Sequence, residues 1–92
     1  MCLCGMLAAD FDSLPRSVRG EVRAFFDDNE AWLAGVLEAG RTQGEISFTG
    51  AAAAEAQVIL STLEGAMLVA RSRRDVKVFD AVARRVLEGL GG

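Results

Sequence analysis

Ninety-two residues with a net charge of −3 make one domain. With no histidine, and only two cysteines, the chain has no imidazole for a general base, a zinc site or a triad, and no disulfide framework. A 51% hydrophobic share beside 25% charge marks a folding sequence, no unbroken apolar run approaches the ~20 residues of a membrane span, and the acidic balance argues against nucleic-acid binding by the whole domain.

The stretch from Met1 to Ala9 resembles a signal-peptide core only faintly. It lacks a basic start, and Asp10 and Asp12 follow at once. It is read instead as a first helix, about Cys2 to Phe11, with Leu3, Met6 and Leu7 on one face. Cys2 and Cys4 are then about 200° apart around the axis. They cannot share a metal or pair without strain, and they are expected as free core thiols of a cytoplasmic protein. Nine arginines against one lysine fit a GC-rich bacterial genome.

Asp12-Ser13-Leu14-Pro15 reads as a turn, with Ser13 as N-cap and Pro15 in the first turn of a second helix. That helix is expected from about Leu14 to Gln43. Val18, Val22, Phe25, Phe26, Asn29, Trp32, Leu33, Val36, Leu37 and Gly40 recur at the three-and-four spacing of a core-facing stripe. Asn29 is the amide within it, and either bonds a neighbouring helix or a water, or reads a polar group of a ligand in an apolar pocket. Asp27, Asp28 and Glu30 read as a solvated acidic face. Gly44 stops the helix, and Glu45–Phe48 is a short link with Ile46 and Phe48 as plugs.

A third helix is expected from about Gly50 to Arg73, capped by Thr49. One face carries Ala52, Ala56, Ile59, Leu60, Leu63, Met67 and Ala70. The opposite face carries Ala54, Val58, Thr62, Gly65 and Val69. A helix apolar on two opposed faces is buried twice, and a four-helix chain cannot cover both, so the second face is expected to be an interface. Gly65 costs about 1 kcal/mol against alanine in mid-helix; close approach of another helix, from a second chain or this one, would offset it. A fourth helix runs from about Val76 to Leu90, with Asp75 as N-cap and Phe79, Val82, Ala83, Val86, Leu87 and Leu90 as its stripe. Gly89, Gly91 and Gly92 let its end fray. Arg71, Arg73, Arg74 and Lys77 complement a helix C-terminus rather than form a phosphate site.

Four segments taken together, Cys2–Asp10, Phe25–Leu33, Leu37–Ile46 and Leu63–Arg71, resemble the C-terminal domain of TetR/AcrR-type transcriptional repressors in order and spacing. The resemblance implies an all-α fold whose last two helices form a four-helix bundle with a symmetry mate. Dimer-interface residues would be Ala54, Val58, Thr62, Gly65, Val69, Val78, Val82 and Val86. It implies a small apolar effector among the middle helices, with Met6, Phe26, Asn29 and Trp32 lining its pocket. Met1 stands where the family often has glycine and Met6 where it often has asparagine. Nothing resembles the family's helix-turn-helix, so residues 1–92 are expected to be a single effector-binding and dimerisation domain that reaches DNA only through an absent N-terminal part. No cofactor, metal or catalytic residue is expected. The alternative is a stand-alone helical interaction module without ligand. A ligand-binding domain should show an enclosed apolar pocket beside Asn29 and Trp32; an interaction module should be solidly packed there.

Overall fold

Residues 2–91 are described by a computed structural model; Met1 and the expected fraying of Gly92 lie outside them. Helical periodicity in the sequence becomes four helices and one short turn. Helix α1 is Leu3–Ala9, and a 3₁₀ turn, Phe11–Ser13, follows. Helix α2 is Arg16–Thr42, α3 is Ala52–Arg73 and α4 is Val76–Gly89. No strand occurs among the described residues.

Two expected caps are corrected. The Ser13 hydroxyl turns back and donates to the Asp10 carbonyl at 2.9 Å. Pro15 holds the N-cap position of α2 without a side-chain bond; its ring fixes the backbone for the helix start, so a serine cap is not required there. Thr49 does not cap α3 either. Gly50, at φ +83, turns the chain between Thr49 and the helix, and Ala51 becomes the N-cap residue. The Asp75 cap of α4 is as expected, its Oδ1 accepting from the Lys77 N–H at 3.0 Å.

The α2–α3 link is held by a small set of contacts. Gly44 leaves the helix at φ +77, and the Gly40 carbonyl accepts from the Glu45 N–H at 2.9 Å. A Cβ on Gly40 would stand 2.9 Å from two carbons of Ile46, so the missing side chain is what lets Ile46 fold back onto α2. Arg41 lies over the Phe48 ring at 4.1 Å, donates to the Gly50 carbonyl at 2.8 Å and pairs with Glu38 at 2.5 Å. Ile46 and Phe48 are the plugs the sequence suggested: both pack against the core cluster of Leu37, Ala56 and Ile59.

That cluster also sets the topology. Leu37, near the end of α2, meets Ala56, near the start of α3. Val86 and Leu90, from the far end of α4, pack on the same spot. So α2 and α4 both run antiparallel to α3, one on each side, and α1 rests on α2. The result is a slab with Cα extents of 43 × 31 × 15 Å, one helix layer thick. Its radius of gyration is 14.7 Å, against about 12.3 Å for a compact domain of this length.

The inner face of α3 is the one the periodicity assigned: Ala56, Ile59 and Ala70 are buried, joined by Ala66, which the spacing does not place there. Four residues of this kind leave the core shallow. The helix is also long and apolar enough, by length and composition alone, to cross a membrane, with mean hydropathy 1.3 along its most apolar stretch. The absence of a long unbroken run therefore does not exclude α3 on length and composition. Its alanines and aliphatic residues keep the average high, while interspersed polar residues interrupt any run.

Candidate functional site

Two of the open surfaces on this slab involve α3. The first is its outer face. Ala54, Val58, Thr62, Gly65 and Val69 are all exposed, as are Ser61 and Leu68 beside them. Val58 is 60% exposed. No charged residue interrupts this row over residues 54–69, because α3 places Glu55 and Glu64 on its flanks. A Cβ at Gly65 would meet no heavy atom of this chain within 4 Å. Close packing within the chain is therefore not what the glycine serves. On α4 the expected residues Val78, Val82 and Val86 are half-buried, and Val86 belongs to the packing around Leu37. The exposed apolar side chains of α4 are Val76 and Leu87.

The second surface is a groove of about 460 Å³ between α1, α2 and α3. Ala8 and Ala9 of α1, Phe26 of α2, and Leu60 and Leu68 of α3 supply apolar walls. Its charged groups are Glu30 and Glu64. Glu30 faces the groove because it follows Phe26 by one helical turn. This corrects its assignment to a solvated acidic face; Asp27 and Asp28 are exposed as expected. Glu64 Oε2 is buried and has no hydrogen-bond partner. It sits against Gly5, where any Cβ would collide with it, so glycine at position 5 is what admits the carboxylate beside α1. Partial desolvation, with Cys2 and the Glu64 carboxylate adding, pushes the nearby Cys4 thiol above its ordinary value, which keeps it protonated and unreactive near neutrality. Both thiols are free.

Of the four residues proposed to line a pocket, the structure brings only Phe26 to the groove. Met6 is 43% exposed and Trp32 68% exposed. Asn29 Nδ2 donates to the Phe25 carbonyl of its own helix at 2.7 Å. Phe25 and Phe26 stack edge to face, 5.3 Å between centroids, so the apolar stripe of α2 divides. Val22, Phe26, Leu33 and Leu37 turn inward, while Trp32 and Val36 form an open edge. Neither Asn29 nor Trp32 lines the groove, which meets α2 at Phe26 and Glu30. The signals that would have found it are Phe26–Glu30 and Leu60–Glu64, two apolar–acidic pairs at i, i+4.

Since the Phe25 carbonyl keeps its main-chain position in the helix without the Asn29 amide, Asn29→Leu should leave thermal stability within about 0.5 kcal/mol of the unaltered chain. A loss above about 1.5 kcal/mol in a melting curve would instead show that the amide is a required core contact.

Among the described residues no cluster of acidic or cysteine side chains could hold a metal ion. Arg71, Arg73, Arg74 and Lys77 are exposed around the α3–α4 turn, where Arg74 takes the left-handed conformation that ends α3.

The family model described as tetracyclin repressor-like, C-terminal domain, matches residues 1–86. A solved transcriptional regulator of the TetR family from Agrobacterium tumefaciens superposes with a TM-score of 0.94 at 42% sequence identity. The match covers 98% of this chain and 47% of that one, so the chain spans about half the length of that regulator. No curated protein matches it. The sequence resemblance, the all-helical slab and both comparisons agree: the chain belongs to the tetracyclin repressor-like C-terminal domain family.

Proposed function

We propose that this chain is the dimerisation and effector-sensing domain of a transcriptional regulator and does not bind DNA by itself. The outer face of α3 carries the reading. A row of small and apolar side chains free of charge, with an uncontacted Gly65 at its centre, fits a second copy of the same helix better than water. The area agrees. The chain exposes 6367 Å², whereas a compact monomer of 9.8 kDa exposes about 5,200 Å². The excess of about 1,200 Å² per chain is what a stable dimer covers. Val78, Val82 and Val86 are already half-covered within the chain, so α3 supplies most of the proposed contact, with α4 alongside.

The effector's place in this reading is the groove between α1, α2 and α3. A molecule there touches three helices at once. It would favour one arrangement of them over another, and that population shift is the signal passed to a DNA-reading part. The acidic charge of the domain supports a division of labour in which DNA is contacted elsewhere.

Light scattering over a dilution series tests the reading directly. The expected mass is twice 9.8 kDa down to low micromolar concentration. A monomer throughout would mean that the outer face of α3 is not a self-association surface.

A further inference from the structure

We infer that the groove between α1, α2 and α3 takes an organic cation: an apolar body bearing a protonated amine or ammonium group, paired with Glu64 and Glu30. The inference rests on the groove being the effector site, and adds the charge of the ligand. Its walls are apolar but for Ser61, and among the described residues its only charged groups are two carboxylates. Glu64 Oε2 is removed from water yet accepts no hydrogen bond. That oxygen is closed off against Gly5, so a bound N–H meets the Glu64 carboxylate once the side chain turns from α1 toward the groove, a turn that also removes the cost of a buried acceptor without a donor. An N⁺–H donor bonds it more strongly than a neutral one, because both partners are then charged. An anionic ligand would meet two like charges at the same place.

An inorganic cation fits poorly. Two carboxylates fall short of the six or more oxygens that calcium takes, and the remaining walls offer no oxygen set to complete the shell. An amine needs less. One or two carboxylates satisfy it while Phe26, Leu60 and Leu68 bury the body. The volume of about 460 Å³ lies in the range of small-molecule sites. Gly5 is part of the device: by admitting the Glu64 carboxylate against α1, it holds the charge at the closed side of the groove.

The test is calorimetric titration of the chain with three probes of one shape: 1-naphthylmethylammonium, 1-naphthylmethanol and 1-naphthoate. The ammonium should bind about tenfold or more tighter than the alcohol, and the carboxylate weakest. Glu64→Gln should bring the ammonium down to the level of the alcohol and leave the alcohol unchanged. Glu30→Gln should reduce the ammonium preference by a smaller factor, and serves as the reporter if Glu64→Gln loses its helical circular dichroism. The preference should persist at about 0.5 M salt, where attraction to the acidic surface is screened. Equal binding of ammonium and alcohol would overturn the cation assignment and leave the groove as an effector site. A preference unchanged in both glutamine variants, or lost with salt, would also overturn it. No binding of any probe to the folded chain would overturn the groove as effector site and the cation with it.

Discussion

Gly65→Leu is expected to convert the proposed dimer to a monomer while leaving the chain folded, and the two effects have opposite signs. Gly65 sits in the middle of α3, exposed, with nothing of this chain near the position of a Cβ. Within one chain a leucine there starts from open space at the edge of the groove and removes the helix penalty of glycine, about 0.8–1 kcal/mol. In the dimer the same side chain stands where the partner helix must approach, and overpacking of that kind costs about 1–3 kcal/mol per site. A twofold interface meets the substitution twice. The sum weakens association by roughly two to four orders of magnitude. Mass by light scattering should therefore fall to half at concentrations where the unaltered chain is paired, and helical circular dichroism should be retained. An unchanged mass would place the interface elsewhere on the slab.

Leu37→Ala should be the most destabilising single substitution in the core. Leu37 is 2% exposed, and Ala56, at 0%, is packed against it. Helix α2, the Ile46–Phe48 link, α3 and the end of α4 all meet at this point. Ala56 beside it has no side chain to swing into the space, and the larger neighbours come from four separate segments, so the cavity term adds to the lost transfer energy, for about 3 kcal/mol. For a domain of this size that is a fall of roughly 15 °C in Tm. Leu37→Met, which conserves volume, should cost less than about 1.5 kcal/mol. Thermal melts of the two variants at one protein concentration settle it; similar melting temperatures would show that the cluster around Leu37 does not hold the helices together.

Much of the fold is visible in the spacing of apolar residues. Ala56, Ile59 and Ala70 mark one side of α3, and Ala54, Val58 and Gly65 the other. The structure buries the first set and leaves the second open, because helical geometry alone decides which residues share a face. Helix ends were less legible. Ser13 and Thr49 are good cap residues, but Pro15 and the positive φ of Gly50 preset the backbone first. The site was the least legible. The stripe of α2 is wider than one neighbour can cover, so the sequence does not say which half is inward. Trp32 fell on the half left open, Asn29 is half-buried but bonded to its own helix, and Phe26 fell on the half that faces the groove. Glu30 and Glu64 look like ordinary surface acids until two helices bring them to one groove. Their chemistry is a property of the tertiary packing.

Ser61, Gly65 and Leu68 belong both to the edge of the groove and to the outer row of α3. An occupant of the groove and a second copy on α3 would thus press on the same three residues from two directions. Two binding events that share a wall cannot be independent: whatever factor a ligand imposes on the self-association constant, self-association imposes on the ligand's affinity in return. Titrating either one becomes a way of measuring the other. The dissociation constant of the pair of chains, followed as groove occupancy rises, would report the sign and size of the message that this small domain sends.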